Sequence, residues 1–167
     1  MIESSWLLKK IKKMKTYYLH REQVLNISQQ EAWSFFSSAK NLSKITPPEM
    51  SFQILSEISD KPVYSGMEIN YIVKPIFGIP LKWKTLIDTV NEPNYFTDKQ
   101  LKGPYKIWEH SHHFKITEKG LLMTDVVKYQ LPFSVFGQLA HWLFVKKKIE
   151  QIFDFRYKVL EKMFNQK

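Results

Sequence analysis

The clearest pattern in the sequence is an apolar stripe over its last third, between residue 135 and about residue 164. Apolar residues recur there at spacings of three and four, as expected for one face of an α-helix. The stripe comprises Leu139, Trp142, Leu143, Val145, Ile149, Ile152, Phe153, Val159, Leu160, Met163 and Phe164. The pattern predicts a helix of about 30 residues, or about 45 Å, whose apolar face must pack against another element.

Between residues 17 and 132 the pattern changes to short segments in which apolar and polar residues alternate. Such alternation is typical of β-strands with one buried face. Seven strands are predicted, over residues 17–27, 52–55, 67–75, 81–90, 95–101, 105–117 and 121–131. Because short connections join consecutive strands, we expect an antiparallel sheet in up-and-down order.

Two short helices are predicted between the first and second strands. Ser28 followed by Glu31 forms a capping-box pattern that starts the first helix. The second spans residues 39–45, before Pro47 and Pro48 stop it. The predicted fold class is therefore α+β, with a curved antiparallel sheet of about seven strands wrapped around one long C-terminal helix.

The composition is that of a globular protein and excludes several kinds of chemistry. Of 167 residues, 44% are hydrophobic and 15% aromatic, which indicates a dense core or an aromatic-lined cavity. The chain has no cysteine, so disulfides and thiolate chemistry are excluded. It has no glycine-rich phosphate loop, nucleophile elbow, signal peptide or membrane-spanning apolar run. We expect a cytoplasmic protein without a cofactor.

The N-terminal residues carry a disproportionate share of the formal net charge of +9. We divide the chain into a basic extension, residues 1–15, and a single domain, residues 16–167. The extension interleaves four lysines with Trp6, Leu7, Leu8 and Ile11. A frayed extension is the favoured interpretation, and a weak contact with an anionic membrane surface is the alternative. No nucleic-acid-binding module accompanies the basic residues, so no nucleic-acid partner is expected.

The order of elements resembles the START-like, helix-grip superfamily, also called SRPBCC. This group includes birch-pollen-allergen-like proteins, lipid-transport domains and polyketide cyclase/dehydrase-like proteins. Short segments are similar to a bacterial branch of stand-alone members: Asn41-Leu42, Ile45-Thr46-Pro47-Pro48, Gly103-Pro104-Tyr105, the run from Trp108 to Phe114, Asp125 with Tyr129, Leu131-Pro132, and Phe153-Asp154-Phe155-Arg156. The resemblance covers residues 17–164. It implies a cavity between sheet and helix for an apolar or amphipathic small molecule, on a scaffold that hosts carriers, receptors and enzymes.

The last two strands place polar side chains among inward-facing apolar ones. One face of the sixth strand carries Trp108, His110, His112, Phe114 and Ile116, and one face of the seventh carries Met123, Asp125, Val127, Tyr129 and Leu131. A two-residue turn at Glu118 and Lys119 pairs Thr117 with Gly120. This register places His112 opposite Asp125, His110 opposite Val127 and Trp108 opposite Tyr129.

Several interpretations of His110, His112 and Asp125 compete. The carboxylate can simply satisfy a buried histidine through a hydrogen bond, or the group can orient a ligand. It can also act as an acid–base unit, in which the carboxylate orients a proton-transferring imidazole. In the fourth interpretation, the two histidines and the carboxylate bind a metal ion. We favour them in that order, so no metal site is predicted.

Further aromatic residues on inward faces complete a predicted ligand-binding wall. The wall comprises Tyr71, Trp83, Thr85, Trp108, His110, His112, Asp125 and Tyr129. Phe136 and Trp142, near the start of the long helix, either gate the cavity or pack under the preceding loop.

The leading hypothesis is binding or transport of a hydrophobic or amphipathic small molecule, such as a lipid, polyketide or terpenoid. It predicts a cavity larger than about 300 Å³. One alternative is a cyclase- or dehydratase-like enzyme, in which His110 or His112 transfers protons, Asp125 orients the imidazole and Tyr129 donates a hydrogen bond. A third possibility, a protein-interaction module, predicts a contiguous exposed apolar patch.

Overall fold

The computed structural model describes residues 14–57, 61–75 and 78–166, and the structural statements below refer to these residues. They form one seven-stranded antiparallel sheet in the order β1-β7-β6-β5-β4-β3-β2. The strands are β1 (Thr16–Leu25), β2 (Gln53–Ile54), β3 (Glu68–Val73), β4 (Leu81–Asn91), β5 (Tyr95–Lys102), β6 (Ile107–Thr117) and β7 (Gly120–Gln130). The predicted fold class is confirmed.

The short helices follow β1, as the sequence predicts. Helix α1 (Gln29–Phe36) is followed by 3₁₀ helices at Ala39–Ile45 and Pro48–Met50. The Ser28 side chain accepts a hydrogen bond from the Glu31 backbone N–H, and the Glu31 carboxylate accepts one from the Ser28 backbone N–H. This reciprocal capping box fixes the start of α1, which then buries Trp33 and Phe36. Both aromatic rings pack against Phe114 of β6 and close one end of the sheet.

The C-terminal helix runs over α2 (Ser134–Ala140), one π-helical turn (His141–Val145) and α3 (Lys146–Phe164). A π turn holds one residue more than an α turn, so it rotates the apolar face of α2 by about 100° relative to that of α3. Ile149, Phe153 and Leu160 of α3 are buried against the sheet.

Part of the predicted apolar stripe does not face the core. Leu139, Trp142 and Leu143 are exposed, Trp142 to 77%. The regular helical spacing assumed for the stripe fails at the π turn, because the inserted residue shifts the register of the helix faces. Phe136 is also 78% exposed, so neither Phe136 nor Trp142 packs under the preceding loop, and neither residue lines the cavity between sheet and helix.

The predicted register of the β6–β7 hairpin is confirmed at every pair, including Thr117 with Gly120 and His112 with Asp125. The predicted inward faces hold except at Ile116, which is 67% exposed at the turn end of β6. Within the described ranges, no helix combines the length and the apolar character needed to cross a membrane. Residues 1–13, which make up most of the predicted extension, lie outside the described residues.

Candidate functional site

A cavity of about 190 Å³ lies between the sheet, the Ala39–Ile45 helix and α3. Its wall is mainly apolar and aromatic, with Phe36, Ile69, Phe96, Ile149 and Phe153 among its lining residues. The volume is below the predicted 300 Å³, because aromatic side chains from both layers fill much of the space between sheet and helix. Ligand pockets usually measure about 300–1,000 Å³, so this cavity suits a compact molecule.

The structure brings most of the sequence-predicted site residues onto one wall. The residues that line the cavity are Tyr71, Trp83, Thr85, Trp108, His110 and His112. Asp125 lies behind the two histidines and does not line the cavity. Tyr129 does not line it either, because its hydroxyl oxygen lies 2.9 Å from Nε2 of His141 on the terminal helix.

One side of the wall presents polar atoms between aromatic rings. The Tyr71 hydroxyl lies 3.0 Å from the Thr85 hydroxyl, and burial raises the pKa of Tyr71, which keeps its proton. Trp83 stacks on Tyr71 with ring centroids 6.0 Å apart. Its buried indole N–H has no hydrogen-bond partner among the described residues. An unpaired buried donor is unfavourable, so a ligand oxygen that reached it would be stabilised.

The other polar region spans three adjacent strands. Asp98 of β5 is paired with His110 of β6, and His112 of β6 is paired with Asp125 of β7. Nε2 of His110 and Nδ1 of His112 lie 3.0 Å and 2.9 Å from the same oxygen, Oδ1 of Asp125. Oδ2 of Asp98 lies 3.7 Å from Nδ1 of His110 and 3.3 Å from Nε2 of His112. Each imidazole therefore stands between two carboxylates.

Arg156 of α3 completes this polar cluster from the helix side. Its Nε forms an ion pair with Oδ2 of Asp125 at 3.5 Å, but the Nε–H group has no hydrogen-bond partner among the described residues. One of its terminal nitrogens lies 3.3 Å from Nδ1 of His112. The guanidinium also stands over the rings of Phe36 and Phe153, at 5.6 Å and 5.9 Å. The cluster thus joins helix and sheet at the cavity wall.

The buried charges of the cluster shift the pKa values of its members in different directions. Burial raises the pKa of Asp125, but Arg156 and the two histidines outweigh it and hold that pKa well below its usual range. Burial and the neighbouring His112 lower the pKa of His110, which is neutral. Burial also lowers the pKa of His112, but hydrogen bonding to Asp125 and Asp98 outweighs it and raises that pKa. The two imidazoles of the wall therefore differ in proton affinity, with the higher pKa at His112.

Sequence reasoning missed two members of the cluster, Asp98 and Arg156. A signal for each was present. Arg156 falls on the buried stripe of α3, seven residues after Ile149 and four before Leu160, where a charge has no place without a partner. Asp98 shares strand parity with Phe96, which is buried. A charged residue in phase with a buried apolar face is the pattern that identifies both.

Comparison with known proteins identifies relatives by fold alone. No protein-family model matches the chain, and no curated protein matches its sequence. Major latex-like protein 151 from Panax ginseng has a TM-score of 0.64 at 15% identity, over 89% of this chain and 97% of its own. A point mutant of norcoclaurine synthase from Thalictrum flavum, in complex with a transition-state analogue, gives 0.62 at 17% identity, over 90% and 97%. Protein Ms6760 from Mycobacterium smegmatis gives 0.62 at 14%, over 90% and 98%.

Proposed function

Because this chain has the helix-grip fold of the START-like superfamily, we propose that it binds a compact hydrophobic molecule with one or two polar groups between the sheet and the terminal helix. The observation that carries the proposal is a cavity with aromatic walls that ends at a buried polar cluster. The apolar wall supplies most of the binding free energy, and a few placed polar atoms orient the ligand.

The cavity volume restricts the class of ligand. An apolar protein cavity of about 150 Å³ accommodates benzene, so about 190 Å³ suits a molecule with one or two rings. Small aromatic polyketides and short terpenoids with a hydroxyl or carbonyl group have this size. A long-chain lipid requires the terminal helix to move away from the sheet.

The test compares binding of phenol, 1-naphthol, indole and palmitate to the full chain by isothermal titration calorimetry. We expect 1-naphthol to bind most tightly, because it fills the cavity and brings an oxygen to the polar wall. Trp83→Phe removes the unpaired N–H and should weaken 1-naphthol binding about tenfold, the effect of roughly one hydrogen bond. Trp142→Phe is the matched control on the surface and should change nothing. The proposal fails if none of the four probes binds more tightly than about 1 mM.

A second candidate function, proton transfer on a bound molecule, is supported by the position of the two imidazoles. His110 and His112 both line the cavity, and Asp125 holds Nε2 of His110 from behind. One of the fold neighbours is an enzyme, norcoclaurine synthase. The test follows deuterium exchange at the α-carbon of phenylacetone by NMR. An enzyme is supported if the unchanged chain exchanges deuterium faster than buffer alone, and if this rate falls at least tenfold in His110→Gln but not in His113→Gln. Exchange at the rate of buffer alone excludes this reaction.

The exposed apolar residues at the start of the terminal helix support contact with a membrane surface. Phe136, Leu139, Trp142 and Leu143 are exposed apolar residues within about two turns of this helix, and we call them the apolar patch. Exposure of this kind is also what the protein-interaction hypothesis requires. Lys146 follows within one turn, and Lys15, the last residue of the basic extension, lines the same groove as Trp142. Trp and Phe beside lysines favour the interface of an anionic bilayer. We therefore propose an anionic membrane surface as the partner of the patch.

Flotation with vesicles of phosphatidylcholine and phosphatidylserine tests this contact. We expect the full chain to float, the double variant Phe136→Ser/Trp142→Ser to float less, and removal of residues 1–13 to reduce flotation further. Vesicles of phosphatidylcholine alone are the control for charge. Failure of the full chain to float excludes the membrane, and concentration-dependent dimerisation lost in the double variant would assign the patch to a second copy of the chain.

A further inference from the structure

Three potential metal ligands converge on one point of the cavity wall. Asp98, His110 and His112 each offer one ligand atom, and these three atoms lie within 4.8 Å of one another. Oδ2 of Asp98 lies 3.7 Å from Nδ1 of His110 and 3.3 Å from Nε2 of His112. In a tetrahedral site with bonds of about 2.0–2.2 Å, neighbouring ligand atoms lie roughly 3.3–3.6 Å apart. The two spacings from Asp98 are close to that range, and the third, between the two imidazole nitrogens, is at most 4.8 Å.

The outer nitrogens of both imidazoles are held in the manner expected around a metal site. Nε2 of His110 and Nδ1 of His112 both face Oδ1 of Asp125. A carboxylate behind a histidine fixes the tautomer in which the other ring nitrogen presents its lone pair. Asp125 does so for His110, whereas Nδ1 of His112 faces both Asp125 and a terminal nitrogen of Arg156, which lies 3.3 Å away. Arg156 in turn holds Asp125 from the helix side, at 3.5 Å.

From this geometry we propose that Asp98, His110 and His112 form a binding site for a divalent transition metal, for which Zn²⁺ is the best match. Two imidazoles and one carboxylate are a ligand set that Zn²⁺ accepts with a fourth position left open. All three residues line the cavity, so the open position faces the space in which a small molecule binds. The inference concerns the metal alone and does not rest on the proposed ligand.

The same residues also form an ion-pair network without a metal, and the two arrangements make different predictions. In the network, the two ring nitrogens of His112 link the carboxylates of Asp98 and Asp125, at 3.3 Å and 2.9 Å. In the metal site, an ion between Asp98 and the two imidazoles gives one saturable binding site per chain. A purely structural network would bind no Zn²⁺ above the background of surface histidines and carboxylates.

The experiment titrates the metal-stripped full chain with ZnCl₂ by calorimetry and with CoCl₂ by visible absorption. We expect one Zn²⁺ per chain with a Kd of about 1 µM or tighter, and an intense Co²⁺ spectrum of the kind that a tetrahedral site gives. His110→Gln, His112→Gln and Asp98→Asn should each weaken binding by more than about 100-fold. Asp125→Asn, which alters only the support of the imidazoles, should weaken it about 10–100-fold.

The matched control is His113→Gln, because His113 lies on the same strand with its side chain on the exposed face. Its Zn²⁺ affinity should equal that of the unchanged chain. Circular dichroism of each variant separates loss of binding from loss of fold, and the titration of the unchanged chain needs no variant. The inference is wrong if that chain binds no Zn²⁺ more tightly than about 50 µM, or if affinity survives in the double variant His110→Gln/His112→Gln.

Discussion

Arg156 and Asp125 are charged side chains in an environment that is otherwise hydrophobic. Only 7% of Arg156 and 5% of Asp125 are exposed, and their nearest charged atoms are 3.5 Å apart. A buried charge is unfavourable unless an opposite charge and hydrogen bonds compensate it. The two residues therefore depend on each other, and helix and sheet are fixed in position through them.

Arg156→Met removes the positive charge and keeps most of the side-chain volume, leaving the buried Asp125 with only His110 and His112 as partners. Removal of one member of a buried ion pair destabilises a protein by about 3–5 kcal/mol. Urea unfolding at pH 7 should show a loss of this order for Arg156→Met and a smaller one for Arg156→Lys, which keeps the charge. A loss below about 1 kcal/mol in Arg156→Met would show that the pair contributes little to stability.

His141 gives the protein a sensitivity to acid that does not involve the cavity. Burial lowers the pKa of His141, as do the nearby cations of Lys146 and Lys15, against a smaller opposing effect of Glu150. The folded chain therefore binds a proton less readily than the unfolded chain. The associated stability is complete above the ordinary histidine pKa of about 6.5 and is lost as the pH falls below it.

His141→Gln replaces the imidazole by a side chain that does not titrate but can still pair with the Tyr129 hydroxyl, which lies 2.9 Å from Nε2 of His141. Between pH 7.5 and pH 5.5 the unchanged chain should lose more unfolding free energy than the variant, by up to about 1 kcal/mol. The measurement is urea unfolding at the two pH values. Equal losses in both proteins would show that His141 titrates normally in the fold.

Elements whose pattern is set by local rules were predictable from the sequence, whereas features that depend on an irregular turn were not. The turn at Glu118 and Lys119 fixes the β6–β7 register, and alternation then assigns the faces of both strands. The capping box at Ser28 similarly defines the start of α1. The π turn at His141–Val145 has no local signature, so the exposure of Trp142 could not be foreseen. Asp98 of β5 and Arg156 of α3 both contact His112 of β6, and a search for motifs of adjacent residues does not bring residues from three elements together.

Gly137 in α2 lies close to the segment that connects β7 with the terminal helix. A Cβ at this position would collide with the carbonyl oxygen of Pro132 and lie 3.0 Å from Cβ of Leu131. Helix propensity alone predicts that Gly137→Ala stabilises α2 by about 1 kcal/mol. Because the obstacle is backbone, we expect destabilisation of about 1–3 kcal/mol instead.

Thermal unfolding of Gly137→Ala shows whether the substitution stabilises or destabilises the protein. Gln138→Ala, at the adjacent half-exposed position of the same helix, is the control for helix propensity and should have a much smaller effect. A higher melting temperature for Gly137→Ala would mean that the chain after Pro132 relaxes easily.

For the molecule as a whole, the layer arrangement follows from the sequence, but the size of the cavity does not. Two layers with apolar faces must pack against each other, and the long helix can only cover the inward face of the sheet. The remaining space depends on the rotamers of side chains such as Trp83, Phe96 and Phe153, which pattern does not specify. The expectation of about 300 Å³ comes from the usual size of ligand pockets, and the packing of these rings makes the cavity smaller.

We predict that the domain folds without its basic extension. Pairing of β1 with β7 begins at Thr16, opposite Gln130, and Tyr17 packs against the hydrophobic cluster that contains Leu19, Val127 and Tyr129. A chain that starts at Met14 keeps all of these contacts. Its melting temperature should differ from that of the full chain by less than about 2 °C, and a larger fall would show that residues 1–13 are part of the folded domain.

The pairing of the first strand with the last also determines when the domain can assemble on the ribosome. β1 bonds to β7 from Thr16–Gln130 to Leu25–Leu121, so roughly a hundred residues must be translated between the two strands. At about 5–20 residues per second this takes roughly 5–20 seconds. Until β7 emerges from the ribosome, β1 has no partner, so its backbone edge is unpaired and Leu19 and Leu25 are uncovered. The hydrogen bonds between β1 and β7 can therefore form only after the five intervening strands have been translated.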